Sequence, residues 1–216
     1  MDFLPYTFTA FAAYLLGSIP TGYLVAKAKG IDIRTVGSGN IGATNAMRVL
    51  GKPAGIIVLI VDALKGWLAV WSLTRLAINY LLNPDSLGGS YEMIAVIAGL
   101  SAIVGHIFTC WLNFKGGKGI ATTAGVLLAL APWALLIVLG VWIVLFAATR
   151  YVSVGSIGAA VVLPFVTWLT THLPLITALM GVISALAIYK HKTNIQRLLN
   201  GTEHRFGAKD QPTPPA

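Results

Sequence analysis

The chain is poor in carboxylates and in cysteine. Its 216 residues hold only seven Asp and Glu against 15 Lys and Arg, a formal charge of +8. Charged residues make up 10% of the chain and hydrophobic ones 56%, where a soluble domain carries roughly 25% charged residues. That shortage excludes an ordinary soluble globule and marks an integral membrane protein. The single cysteine, Cys110, lies inside an apolar run, so an internal disulfide is excluded and the redox compartment is left open. No Lys or Arg precedes Lys27, which argues against a cleavable signal peptide. Four scattered His and no H-E-x-x-H supply no metal site, and no cofactor is expected. The cations sit at the ends of apolar runs, where they set topology and bind anions; nucleic acid is not an expected partner.

What is abundant is long apolar sequence. Phe3 to Ala26 is charge-free and long enough to cross a bilayer, which takes about 20 apolar residues. Ala54 to Leu73, interrupted by Asp62 and Lys65, is a second span and Met93 to Phe114 a third. Ile120 to Thr149 is long for one helix and short for two, with Pro132 near its middle. Tyr151 to Tyr189 supplies two more spans around Leu173-Pro174. Parity decides the ambiguous stretch through the excess of Lys and Arg in cytoplasmic loops. One helix there leaves the C-terminal cations opposite the rest, whereas splitting at Pro132 places 13 of the 15 on one side. The expectation is an all-α membrane protein of seven transmembrane helices, N-terminus outside and C-terminus cytoplasmic. Residues 1–206 form one transmembrane domain, and 207–216, with three prolines, a disordered tail.

Two Gly-rich basic loops fall on the cytoplasmic side: VGSGNIGATNAMRVLGK (Val36 to Lys52) and NFKGGKG (Asn113 to Gly119). Gly37-Ser38-Gly39-Asn40-Ile41-Gly42 matches G-x-G-x-x-G, but no βαβ unit surrounds it, so it is not a dinucleotide fingerprint. Its physics still suits an anion. Glycines admit close backbone approach, and a helix starting near Ala43 aims free N–H groups at a negative charge. Ser38, Thr44 and Asn45 add short donors, and Arg48 can clamp a phosphate. Lys115-Gly116-Gly117-Lys118-Gly119 lacks the Walker A pattern, yet two lysines across glycines before a short helix again describe an anion site. The ordinary alternatives are a Gly-rich turn with topogenic charges, and snorkelling lysines.

His191 and Asn194 stand three apart at the end of the last span and share a helical face. Such a His can donate to a phosphate or exchange a proton near neutrality. Asp62 and Lys65, also three apart but inside a span, are expected to pair internally and support the site. His106 within the third span says less. The H-x-x-x-x-D arrangement of other glycerolipid acyltransferases is missing: Trp111, Thr177, Gln196 and Lys209 follow the four His at that distance.

On these residues the chain closely resembles the bacterial acyl-phosphate:glycerol-3-phosphate acyltransferases, the PlsY family. The matching stretches are LLGSIPTGYLVAK (Leu15 to Lys27), the first Gly-rich loop, DALKG (Asp62 to Gly66), VGHIFTCWLNFKGGKGIATT (Val104 to Thr123) and YKHKTNIQRLLNGTEHRF (Tyr189 to Phe206). The resemblance implies transfer of an acyl group from acyl phosphate to the 1-hydroxyl of sn-glycerol 3-phosphate. The products are lysophosphatidic acid and phosphate, at the start of phospholipid synthesis. It implies a seven-helix fold in the bacterial inner membrane with a cytoplasmic active site, no use of acyl-CoA, and a functional link to the enzyme that makes acyl phosphate. Ser38, Arg48, Lys118, His191 and Asn194 are the implied catalytic residues. Gly37, Gly39, Asn40, Gly42, Thr44, Asn45, Lys115, Gly116, Gly117 and Gly119 are expected to surround the substrate phosphates, with Asp62 and Lys65 in support. A transporter for a small organic phosphate is the competing class, disfavoured because the basic motifs lie at one face and no inverted repeat is visible. A scaffold leaves the basic loops unexplained.

Overall fold

The computed structural model describes residues 3–81 and 90–207, and all regular structure among them is helical. The first passage is α1 (Leu4–Ser18) and α2 (Thr21–Lys27), broken at Ile19-Pro20, because proline lacks an N–H and cannot continue the ladder. After a loop come α3 (Ala43–Leu50) and α4 (Lys52–Leu68). α4 runs through a π-helical turn, Ala69–Leu73, into α5 (Thr74–Leu81). α6 (Ser90–Ile107) leads by a short 3₁₀ turn, Cys110–Leu112, to α7 (Ile120–Leu130). α8 (Pro132–Thr149), α9 (Val152–Thr171), α10 (Pro174–Lys190) and α11 (Lys192–Leu199) follow, with proline in the first turn of α8 and of α10.

Five helical stretches among the described residues are long and apolar enough to cross a bilayer: Leu4–Lys27, Lys52–Leu81, Tyr91–Leu112, Pro132–Thr149 and Val152–Thr171. Pro174–Lys190 and Lys192–Leu199, bent by 52° at His191, count as a sixth only when taken together as one span. The expected break at Pro132 is present, but the helix before it, α7, has only 11 residues and does not reach span length by itself. One expected boundary moves. The second passage continues past Leu73 to Leu81, because Arg75 folds its guanidinium over the Trp71 ring, 4.4 Å from its centroid, and need not end the helix. The third passage, Tyr91–Leu112, agrees with the expected Met93 to Phe114 within two residues and ends where Asn113 and Phe114 take left-handed conformations. Residues 208–216, nearly all of the expected tail, lie outside the described residues.

Polarity is inverted relative to a soluble protein, as it must be where the solvent is lipid. Trp133, Leu136, Ile143 and Val144 of α8 are exposed, while Thr9, Ser18, Thr74, Thr167 and Ser184 are buried. α1 is tied to α6 by Tyr14 Oη donating to the Phe108 carbonyl (2.9 Å) and Ser18 Oγ to that of Gly105 (3.3 Å). α4 and α7 touch backbone to backbone: a Cβ on Gly125 would stand 1.8 Å from the Ala63 oxygen. At the break beside Pro20 the Ile19 carbonyl accepts from the Thr21 N–H at 3.0 Å and from Lys65 Nζ at 2.9 Å. A broken helix inside a membrane needs such a substitute donor. These contacts bring the ends of α6, α7 and α10 beside the first loop.

Candidate active site

The first loop is wound around one side chain. Asn45, 2% exposed on the first turn of α3, accepts from the Ser38 N–H at 2.9 Å. Its amide nitrogen donates to the carbonyls of Ile33, Val36 and Asn40 at 3.3, 3.1 and 2.9 Å. Gly37 and Gly39 take positive φ, +60° and +69°, and a Cβ on Gly37 would meet Asn45 Oδ1 at 2.3 Å. Only glycine allows the chain to turn this tightly around the amide. Asn40 Oδ1 accepts from the Gly42 N–H at 2.8 Å, closing the turn that starts α3.

The second loop is pinned to the end of α6. The Gly116 and Gly117 N–H groups donate to the Ile107 and His106 carbonyls at 3.0 and 3.1 Å, satisfying the last turn of that helix. Gly117 also lies against the His106 ring, where a Cβ would stand 2.2 Å from Nε2. Below it, His106 Nδ1 is 3.7 Å from Asp62 Oδ1, which pairs with Lys65 at 2.8 Å and accepts from Thr21 Oγ1 at 3.0 Å. The expected Asp62–Lys65 pair is thus formed, and His106 joins it to the loop.

The third component is the C-terminal segment. Lys118 Nζ donates to Asn194 Oδ1, and Asn194 Nδ2 to Glu203 Oε1 at 2.7 Å. Ser153 Oγ donates to the same oxygen and Arg197 Nε to Oε2, both at 2.7 Å. The Phe206 N–H bonds the Arg150 carbonyl at 2.8 Å, so residues after α11 fold back onto the α8–α9 junction.

A cleft of about 320 Å³ opens between these components. Ser38, Gly39 and Asn40 form one wall, Gly116 and Lys118 another, and Phe108, Tyr189, Lys190, Lys192, Thr193 and Arg197 the third. Burial pushes the Lys118 ammonium down to about 8; Glu203 opposes this, and the charges of Arg197, Arg48 and Lys190 reinforce it. Burial would raise the Glu203 carboxyl, but the donors from Arg197, Asn194 and Ser153 outweigh it and hold it below its usual value. Burial, helped by the Lys118 charge, pushes His191 down to about 4. His191 Nδ1 lies 2.7 Å from the Ala187 carbonyl. A carbonyl only accepts, so Nδ1 carries the proton and the ring is neutral at pH 7.

Ser38, Gly39, Asn40, Gly116 and Lys118 therefore meet at the cleft, with Arg48 near enough to lower the Lys118 pKa and Asn194 behind it. Several residues expected around the phosphates stand elsewhere or are already engaged in this structure. All four side-chain hydrogen bonds of Asn45 serve the loop itself, and it is buried. The amides of Gly42, Gly116 and Gly117 are already engaged. Gly37, Thr44 and Lys115 are exposed and do not line the cleft, and Gly119 packs on Ile107 and Ile103. His191 neither lines the cleft nor titrates near neutrality. Sequence reasoning missed Arg197 and Glu203. The three-residue step from His191 to Asn194 continues to Arg197 and was the available signal.

A family model described as glycerol-3-phosphate acyltransferase matches residues 7–201. The chain belongs to that family. It is 48% identical over 196 residues to the glycerol-3-phosphate acyltransferase of Trichlorobacter lovleyi, covering 91% of this chain and 95% of that protein. With the Geobacter metallireducens protein of the same name the identity is 51%, at the same coverage. The crystal structure of the integral membrane glycerol 3-phosphate acyltransferase PlsY (YgiH), in its glycerol 3-phosphate form, matches with TM-score 0.82 and 39% identity. That match covers 94% of this chain and 96% of the other. The lysophosphatidic acid form of PlsY matches with TM-score 0.80 and 38% identity, over 94% and 95% of the two chains.

Proposed function

We propose that the protein moves the acyl group of an acyl phosphate to the 1-hydroxyl of sn-glycerol 3-phosphate, releasing 1-acyl-glycerol 3-phosphate and inorganic phosphate. The observation that carries this reading is the cleft itself. Loop residues Ser38 to Asn40 face Lys118 and Arg197 across a space of about 320 Å³, beside the ends of apolar helices. Membership of the glycerol-3-phosphate acyltransferase family agrees with it.

The hydroxyl oxygen attacks the acyl carbonyl carbon, the bond from that carbon to the phosphate oxygen breaks, and phosphate leaves with the electron pair. A mixed anhydride is activated already, so catalysis reduces to holding two phosphates and a carbonyl together and stabilising developing charge. Lys118, oriented by Asn194, and Arg48 supply that charge, and Ser38 donates from the opposite wall. The hydroxyl proton goes to a substrate phosphate. Glu203 is engaged by Asn194, Arg197 and Ser153, and His191 is neutral and weakly basic, so neither is suited to take it. His191 instead keeps an uncharged neighbour under Lys118.

The same reading has seven membrane passages with α7 as the short one, the N-terminus outside, and the cleft on the cytoplasmic face of the bacterial inner membrane. An enzyme that makes acyl phosphate supplies the donor. The test is purified protein in detergent with glycerol 3-phosphate and palmitoyl phosphate. Phosphate release with formation of lysophosphatidic acid is expected, and none with palmitoyl-CoA. Turnover with palmitoyl-CoA alone, or no release with the acyl phosphate, overturns the reading.

A further inference from the structure

The chain after α11 is fastened at two points. At the first, Glu203 accepts from Asn194 and Ser153 and pairs with Arg197, each at 2.7 Å. At the second, the Phe206 N–H bonds the Arg150 carbonyl at 2.8 Å, and the Phe206 ring meets Phe146 edge to face, 5.5 Å between centroids. Phe146 stacks in turn on Trp142 at 5.0 Å, and Trp142 Nε1 donates to Ser156 Oγ at 3.2 Å. Ser153 and Ser156 are both buried and stand three apart on α9, so one helical face receives both fastenings. Arg150 closes α8 in a left-handed conformation, with its N–H on the Phe146 carbonyl. The ring and the carbonyl that take Phe206 therefore belong to one helix end.

The second fastening is remote from the cleft, which none of Phe206, Phe146 and Trp142 lines. What it secures does reach the cleft. α11 has eight residues, and only Asn194 among them is buried, so this helix has few apolar contacts of its own to hold it there. A docked chain end is ordinarily a matter of stability alone. Here the docked segment carries the carboxylate that fixes the Asn194 amide, and the other end of that amide takes the Lys118 ammonium. The ring contact keeps the segment closed by taking apolar surface out of water.

Resting on the acyl-phosphate reading above, we infer that Phe206 is a positioning residue for the reaction. Its ring, clipped to Phe146, holds Glu203 where it fixes Asn194, and through Asn194 the Lys118 ammonium. Phe206 touches neither substrate and acts only through this chain of contacts. Cutting the chain at Glu203 therefore removes the reason for the ring to matter.

The test uses the full-length protein in detergent, with Phe206→Ala, Phe206→Tyr, Glu203→Ala, and Phe206→Ala combined with Glu203→Ala, all assayed at equal amounts of monodisperse protein. Wild-type turnover of palmitoyl phosphate with glycerol 3-phosphate comes first; failure there sinks the underlying reading and not this assignment alone. Given turnover, Phe206→Ala should lower kcat/KM about fivefold, the effect of losing one edge-to-face ring pair. Phe206→Tyr should recover most of that loss, because the ring is kept and, at 40% exposure, the added hydroxyl can reach water. The deciding comparison is the Glu203→Ala background, where the link to Asn194 is already cut. There Phe206→Ala should lower kcat/KM less than about twofold further. A merely stabilising ring would lower it by the same factor in both backgrounds. Asn194→Ala gives the same comparison from the other side of the link if Glu203→Ala does not yield monodisperse protein, and Phe206→Leu replaces Phe206→Ala on the same condition. Equal losses in the two backgrounds, or unchanged kcat/KM for Phe206→Ala alone, overturn the assignment.

Discussion

The Lys118 ammonium donates to the Oδ1 of Asn194, joining the second glycine loop to the C-terminal segment across 76 residues of sequence. Asn194 cannot turn its amide around, because Nδ2 is held by Glu203 at 2.7 Å. The cation proposed to meet substrate is thus placed by residues from three parts of the chain: the loop itself, α11, and the segment that folds back after it. Removing it should be severe. Lys118→Ala should cut kcat/KM at least about a hundredfold, since one charge-assisted contact to phosphate is worth roughly 1.5–3 kcal/mol and its value grows where charge develops. Steady-state kinetics at equal amounts of monodisperse protein provide the check. Activity near that of the wild type would take the second loop out of the active site.

The same ammonium sets an alkaline limit. Burial holds it at about 8 against an ordinary 10.5, so its charge is present below that value and is lost as pH rises through it. kcat/KM, which reports the free enzyme, should fall on the alkaline side with an apparent pKa near 8. Lys118→Arg should lose that limb, because a guanidinium stays charged throughout. His191, at about 4, predicts no acidic limb between about pH 5 and 7. A profile for Lys118→Arg that still falls near pH 8 would assign the limb elsewhere.

Glu203 is the anchor of the C-terminal side. Its Oε1 accepts from Asn194 and Ser153, and its Oε2 from Arg197. Glu203→Gln can keep one oxygen for the first two donors but turns an NH₂ towards the Arg197 guanidinium, donor against donor. kcat/KM should drop about tenfold, the effect of one lost charge-assisted bond, with Asn194→Ala in the same background adding less than it does alone. Full additivity of the two changes would show that Glu203 acts independently of Asn194.

The glycines illustrate how far sequence reaches. Gly37 and Gly39 were legible as a tight turn, and φ of +60° and +69° agrees. What they turn around was not legible, because an Asn on the first turn of a helix reads equally well as an anion donor or a loop peg. In the structure Asn45 is buried, and its four hydrogen bonds go to the loop. Gly116 and Gly117 were likewise legible as a place of close approach. That their amides close the end of α6, and that the His106 ring occupies the missing Cβ, depends on tertiary contacts between separate segments. Asp62 and Lys65 were legible because two charges three apart in an apolar helix have few other options. Helix ends were read well where proline stands first, as at Pro132 and Pro174. They were read poorly at Leu73, where a π-helical turn and Arg75 on Trp71 carry the helix onward.

Membrane topology follows from the distribution of cations. A reporter fused after Gly207 should be cytoplasmic, and one at Gly89, outside the described residues, should lie on the other side of the membrane. The seven-passage reading requires those opposite signals, because α7 and α8 then cross separately around Pro132. Equal signals from both fusions would mean an even number of passages between them, with α7 not crossing.

Asp62 and Lys65 should behave as a unit. Their side chains are 3% and 4% exposed and 2.8 Å apart, so removing one leaves the other charged and buried, at a cost of about 3–5 kcal/mol. Thr21 Oγ1 supplies Asp62 with one further donor, and the Ile19 carbonyl gives Lys65 one further acceptor; neither neutralises the remaining charge. Asp62→Leu and Lys65→Met should each lower the melting temperature in detergent strongly. The double variant should be less damaged than either single change, since the Ile19 carbonyl keeps the Thr21 N–H as a donor. The loss should also reach the cleft. His106 stands 3.7 Å from Asp62 and bears on Gly117, one residue before Lys118. Surviving single variants should therefore show a raised KM as well as a lowered melting temperature. If the two single losses simply add in the double variant, the residues are independent, and the ion pair is not what holds this part of the bundle together.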